Sequence, residues 1–129
     1  MNPPDLHQTL DVLEKAKQVI EDGNWHQGSL RSCNANGDVI GVCALEALAL
    51  VMPRERPLKS YTEHSPEVQH YSKWLHEDPR VVFTENDRAA TIDPVLARFD
   101  LGISKVKAAI AKEQAPIEVG SERVLVKAK

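Results

Sequence analysis

The amino-acid sequence predicts a mainly α-helical domain of the α+β class, with three to four helices around a central apolar helix and a small β-hairpin. Apolar residues recur at helical spacing in one segment before Gly23 and in another after Pro94. Residues 43–52, between these segments, are apolar almost all round. The dipeptide Asn36-Gly37 is typical of a hairpin turn and accounts for the β component.

Length and composition favour one hydrophobic core. The chain has 129 residues, of which 42% are hydrophobic and 27% charged, so it has enough apolar material for a single domain. We expect one helical domain over residues 1–115, followed over residues 116–129 by a tail or a small hairpin.

The first predicted helix covers residues 5–22. Pro3 and Pro4 suit its first turn, and Gly23 supplies the left-handed conformation that commonly ends a helix. Its apolar positions fall within about half of the helix circumference; they are Leu6, Leu10, Val12, Leu13, Ala16, Val19 and Ile20.

A hairpin is expected next, with strands near residues 28–33 and 39–42 around the Asn36-Gly37 turn. Residues 43–52 then contain good helix formers up to Pro53, which cannot continue a helix. This segment is predicted to be the central buried helix.

The two cysteines lie on either side of the predicted turn. A two-residue turn would place Cys33 opposite Ile40 and Cys43 opposite Leu30, so the sulfur atoms would not meet. We therefore expect two free thiols.

Residues 53–65 contain prolines and charged side chains without an apolar period, which predicts a surface loop. The next helix should begin with Ser65 as its N-cap and Pro66 in its first turn, and should end near residues 78–79.

Residues 81–83 are β-branched and aromatic, which favours a strand or an extended core contact that Asn86-Asp87 would end. The last helix is predicted over residues 93–113. Gly102 lies on its apolar stripe, and because glycine is unfavourable inside a helix it indicates a close approach, for which the central helix is the expected partner.

Charge and hydropathy exclude some partners. The formal net charge of −3 gives no general attraction for nucleic acid. The longest apolar stretch, residues 42–51, contains Glu46 and is shorter than the ~20 residues that span a bilayer, so no membrane partner is expected. The first residues lack the pattern of a secretion signal, and we therefore expect a cytoplasmic protein.

Short motifs in a defined order resemble a family of small uncharacterised proteins, a domain of unknown function found in actinobacteria, other bacteria and their phages. The resemblance covers roughly residues 8–110 and implies a shared fold and a phage or mobile-element setting, but no activity. The sequence departs from the family pattern at Glu46, where a small residue is common, and at Pro94, where glutamate is common. The motif residues are Trp25, Gln27-Gly28, Cys43-Ala44-Leu45, Ala47-Leu48, Phe83, Asn86-Asp87, Thr91, Val95, Phe99-Asp100 and Ile103.

We predict no catalytic residues, no metal and no cofactor. The histidines and cysteines show no metal-ligand spacing, and no phosphate loop or nucleophile elbow is present. A cysteine-dependent enzyme using Cys43, His26 and either Asp87 or Asp100 is the last of three functional hypotheses, and it is considered because a helix start lowers a thiol pKa. A small core residue is the other interpretation of Cys43.

The preferred functional hypothesis is a non-catalytic, phage-related binding protein that acts on a host protein or another macromolecule, with the surface around Trp25 and Trp74 as a candidate. The alternative is binding of a small molecule such as a nucleotide. Trp25 or Phe83 would stack on its ring, while Gln27, Asn86 or Asp87 would hydrogen-bond its edge. These residues also have ordinary interpretations, as core anchors for the aromatic pair and as turn or capping residues for Asn86 and Asp87.

Overall fold

The computed structural model describes residues 4–28 and 31–114. Within them the protein is mainly helical with one small antiparallel sheet, which confirms the predicted fold class. The elements in chain order are α1 (Leu6–Glu21), β1 (Arg31–Cys33), β2 (Val39–Val42), α2 (Ala44–Val51), a 3₁₀ turn (Leu58–Ser60), α3 (Pro66–Ser72), α4 (Pro79–Arg88) and α5 (Asp93–Gln114). The predicted tail over residues 116–129 lies outside the described residues.

Helix α1 follows its prediction closely. Asp5 caps it, with Oδ1 accepting a hydrogen bond from the backbone N–H of Gln8 at 2.7 Å. Gly23, with φ of 91°, lies just beyond its end. Pro4 precedes the cap instead of lying in the first turn. The apolar stripe of α1 packs against both α2 and α5.

The hairpin forms with a different turn from the one predicted. Gly37, with φ of 85°, donates its N–H to the carbonyl of Asn34, and the N–H of Asn34 donates to the carbonyl of Asp38. These two bonds close a loop of three residues, 35–37. The side chain of Asn34 stabilises the loop by accepting hydrogen bonds from the N–H groups of Asn36 and Asp38.

The longer loop shifts the strand pairing. Cys33 pairs with Val39, whereas Ile40 was the expected partner, and Ile40 is the extra residue of a β-bulge. Beyond the bulge Ser32 pairs with Gly41, so the predicted register is restored there. Both cysteines are free thiols, as predicted, with Cys33 exposed and Cys43 buried.

Helix α2 is the buried centre of the fold, as predicted. Residues 44–49 are all buried, and the helix packs against α1, α3 and α4. Cys43 is its N-cap, with Sγ accepting from the N–H of Glu46 at 3.4 Å. A short helix that is apolar on every side can be stable only where neighbours cover it all round.

The loop over residues 53–65 contributes a side chain to the core, although its sequence predicts only a surface loop. Tyr61 is only 1% exposed, and its hydroxyl accepts from the N–H groups of Glu55 and Arg56 at 3.1 and 3.3 Å. Ser65 accepts from the N–H of Thr62 and makes no side-chain cap on α3. Helix α3 ends at Ser72, well before the predicted position.

The prediction of an extended segment at residues 81–83 is wrong, because these residues lie inside α4. Asp78 caps α4, with Oδ1 accepting from the N–H of Arg80 at 2.9 Å, and Pro79 occupies the first helical position. This local start signal outweighs the weaker β preference of the residues that follow. Asn86, expected to break the segment, is a buried residue of α4.

Gly102 in α5 marks a close approach, but to a different partner from the one expected. A Cβ atom at Gly102 would lie 3.0 Å from both the carbonyl oxygen of Trp74 and Cδ2 of Leu75. Trp74 and Leu75 follow α3, so α5 packs tightly against this segment and not against α2 at Gly102.

Candidate functional site

Four of the five predicted ligand-binding residues meet at the carboxyl end of α4. Asn86 is central to the group and is only 1% exposed. Its Oδ1 accepts from Nε1 of Trp25 at 2.7 Å and from the backbone N–H of Ala44 at 3.1 Å, and its Nδ2 donates to the carbonyl of His26 at 3.0 Å. One side chain therefore connects α4, the segment before the hairpin and the first turn of α2.

Gln27 and Asp87 complete the arrangement. Nε2 of Gln27 donates to the carbonyls of Asn86 and Ala89, both at 2.8 Å, and makes a longer contact of 3.2 Å with that of Asp87. These carbonyls have no partner within the helix because they belong to its end. Asp87 Oδ1 accepts from the N–H of Gly28 at 2.9 Å, and Gly28 has a φ of 90°. We call Trp25, Gln27, Asn86 and Asp87 the latch.

Phe83, the fifth predicted residue, lies about one helical turn before the latch residues of α4. Its ring is partly buried and packs against the hydrophobic core. The structure thus places Phe83 among the core contacts and brings the other four residues together.

The latch residues are hydrogen-bonded chiefly to one another and to backbone. Trp25 uses its indole N–H inside the latch, and Asn86 uses both its oxygen and its nitrogen. The latch residues line neither of the two hollows described below, which are formed by other side chains. These hydrogen bonds cap the end of α4 and hold it against the segment before the hairpin and against α2. Binding of a ligand by these residues stays a prediction.

Cys43 lacks the activation that a nucleophile requires. Burial raises the pKa of the Cys43 thiol to about 11, even though N–H groups at the start of α2 act to lower it. The dipole effect expected from the sequence is therefore outweighed by desolvation. Asp100, one candidate third member, forms a salt bridge with Lys17 at 2.8 Å.

Glu46 forms a second polar cluster, whose partner was not identified from the sequence. Its side chain is 1% exposed and makes a salt bridge with Arg31 of β1. Burial raises the pKa of Glu46, while the Arg31 guanidinium acts to lower it. A buried glutamate must either pair with a cation or be protonated. The position of Glu46 in an apolar helix is the one feature of the sequence that indicates such a partner. The pair fastens the hairpin to α2.

Two further classes of site have no support in the part of the chain that the structure describes. No three His, Cys, Asp or Glu side chains within residues 4–28 and 31–114 are grouped so as to hold a metal ion. Over the same residues, no helix has the length and apolar character needed to cross a membrane.

Comparison with known families gives one match. A family model described as a family of unknown function, DUF6197, matches residues 4–105. The chain belongs to the DUF6197 family. The match runs from just before α1 into α5 and so includes the latch and the pair of Glu46 with Arg31. No curated protein and no solved structure matches the chain. The match therefore confirms membership of a family of unknown function and assigns no activity.

Proposed function

We propose that this protein is a non-catalytic binding protein of phage or mobile-element origin that acts by binding a host protein. The chemistry of the described residues supports this proposal. The Cys43 thiol is buried with a raised pKa, and the polar latch residues are engaged within the fold. The single observation that carries the proposal is an exposed apolar side chain, Ile40, which lies at a β-bulge and is 54% exposed.

Ile40 belongs to a shallow hollow of about 250 Å³ between the hairpin, the end of α1 and α2. We call it the Ile40 hollow; its lining residues are Val19, Asn24, Val39, Ile40, Gly41, Val42 and Leu50. A bulge turns a side chain out of the regular pleat, and an exposed apolar side chain at the edge of a hollow can serve as an anchor for a protein partner.

Two aspartates that are close in sequence to lining residues of the hollow favour a basic partner. Asp22 is the C-cap of α1, three residues after Val19 of the hollow, and the last turn of α1 contains no basic residue. A carboxylate at this position is unfavourable, because the carboxyl end of a helix already carries partial negative charge. Asp38 directly precedes Val39, on the hairpin side. The proposed partner segment therefore presents an apolar side chain next to a lysine or arginine.

The test is capture of a partner from a bacterial host lysate by three forms of the protein. These are the wild type, Ile40→Thr, and Leu101→Gln as the matched control, since Leu101 is also a large exposed apolar residue, at 45%. We expect the wild type and the Leu101 variant to retain the same stoichiometric partner. Ile40→Thr should weaken binding about tenfold, because an apolar anchor contributes ~1.5 kcal/mol or more.

Two results would contradict the proposal. One is the absence of any stoichiometric partner for the wild type under these conditions. The other is equal retention by the Ile40 and Leu101 variants, which would show that the Ile40 hollow does not contact the partner.

A further inference from the structure

A second hollow lies between α5 and the segment that joins α3 to α4. Its volume is about 290 Å³, and it is lined by Lys73, Leu75, His76, Glu77, Arg98 and Lys105. It shares no residue with the Ile40 hollow or the latch. We call it the basic hollow.

The basic hollow has an excess of cationic side chains in a chain whose net charge is −3. Arg98 has a counterion, because Nε and Nη2 contact the carboxylate oxygens of Glu85 at 2.8 and 2.5 Å. Lys73 and Lys105 form no salt bridge with any residue in the described ranges. Glu77 is the one carboxylate of the lining, so the two lysines exceed the local negative charge.

The two walls of the hollow are held together by contacts to backbone carbonyl groups. Arg98 Nη1 donates to the carbonyl of Leu75 at 3.3 Å, which joins α5 to the opposite wall. The absence of a side chain at Gly102 allows α5 to approach Trp74 closely. These contacts hold α5 against the segment that carries Lys73, so Lys105 and Lys73 lie on opposite walls of one hollow.

His76 adds a hydrogen-bond donor. Its Nδ1 accepts from the backbone N–H of Asp78 at 3.0 Å. Since one ring nitrogen accepts, the proton of the neutral imidazole is on Nε2, which can donate to an anionic oxygen.

We propose that the basic hollow binds the phosphate group of a small molecule. Two ammonium groups, an imidazole N–H and the guanidinium N–H groups of Arg98 that Glu85 and Leu75 leave free offer several donors, and a surplus of positive charge, to the acceptor oxygens of a phosphate. The volume of about 290 Å³ is just below the usual range of ligand sites, which suits a phosphate with a small attached body. This binding site is independent of the proposed protein-binding function.

The experiment is a titration of the ¹⁵N-labelled full chain, followed by amide chemical shifts at constant ionic strength. Inorganic phosphate is one ligand and adenosine monophosphate is the other. We expect saturable shifts of the amides at residues 73–77 and 98–105. Lys105→Gln should raise Kd about threefold or more, and adding Lys73→Gln should remove saturable binding.

Lys112→Gln is the matched control. Lys112 is also exposed on α5 and lies outside the lining of the basic hollow, so its loss should leave Kd unchanged. Tighter binding of the nucleotide than of inorganic phosphate would support the proposal with the attached body as part of the ligand. Equal affinities for the nucleotide and for inorganic phosphate would support the proposal and would show that the hollow recognises only the phosphate group. The proposal is overturned by shifts that do not saturate, or by equal weakening in the Lys105 and Lys112 variants, since either result indicates general charge screening.

Discussion

Replacement of Asn86 by alanine tests whether the latch stabilises the fold. The substitution removes the partner of three groups, namely the indole N–H of Trp25, the first N–H of α2 at Ala44 and the carbonyl of His26. A buried group left without a partner costs ~1–3 kcal/mol. Ala44 is fully buried, whereas Trp25 and His26 are partly exposed and can recover some bonding from water. The expected loss in the free energy of unfolding is therefore about 3–5 kcal/mol.

This loss is large relative to the ~5–15 kcal/mol that stabilise a typical domain. At roughly 4 °C per kcal/mol for a chain of this size, Tm should fall by about 12–20 °C. Urea denaturation followed by circular dichroism gives the free energy directly. The ¹H–¹⁵N resonance of the Trp25 indole reports separately whether its hydrogen bond has been lost.

Asn34→Ala is the matched control for this prediction. The side-chain oxygen of Asn34, like that of Asn86, accepts two hydrogen bonds, in this case from the backbone N–H groups of Asn36 and Asp38, but Asn34 is exposed on the hairpin. Water can replace these bonds, so the expected loss is about 1 kcal/mol or less. If the Asn86 variant is no less stable than the Asn34 variant, the latch does not contribute as described.

Three further predictions concern the buried groups and the helix contact. In the native protein Ellman's reagent should react rapidly with the exposed Cys33 alone and with Cys43 only after denaturation; rapid reaction of both thiols would contradict the raised pKa of Cys43. Burial raises the pKa of Glu46 above 4.5, so its contribution to stability is complete below pH 4.5 and is lost as the pH rises through the raised pKa. The unfolding free energy of the wild type relative to Glu46→Gln should therefore decrease as the pH rises above 4.5, and a difference that does not change with pH would refute this. Gly102→Ala should destabilise the protein by about 1–3 kcal/mol in urea denaturation, despite the better helix propensity of alanine, because the new Cβ meets a backbone carbonyl. Unchanged or increased stability would show that α5 can move away at no cost.

Helices α1, α2 and α5 were predictable because their signals are local. The apolar period, the glycine after α1 and the proline after α2 act over a few residues, and the sequence displays them directly. Helix α4 was mistaken for an extended segment because two local preferences compete there. The Asp78 cap and Pro79 favour a helix, whereas the β-branched residues after them favour a strand.

The hairpin shows how one side chain decides a register. Asn36-Gly37 correctly indicated a turn, but the bonds accepted by Asn34 select a loop of three residues. The bulge at Ile40 follows from that choice, and it exposes the apolar side chain on which the functional proposal rests.

The sequence singled out residues that lie close together in the fold, but it did not indicate how they are connected. The motif pattern singled out Trp25, Gln27, Asn86 and Asp87, and the structure brings these four together. The bond between Trp25 and Asn86 joins residues 61 positions apart, and Glu46 finds its cation 15 positions away on β1. No local pattern encodes such distances.

The sequence by itself thus determined the fold class, the three helices with clear periods, the absence of a disulfide and the residues that meet in the latch. Tertiary structure alone decided what those residues contact, which segment lies against Gly102 and which lysines share a hollow. The physical reason is that helix periods and caps depend on neighbours within about one turn. Desolvation and hydrogen-bond pairing depend on which distant groups the folded core places beside each other.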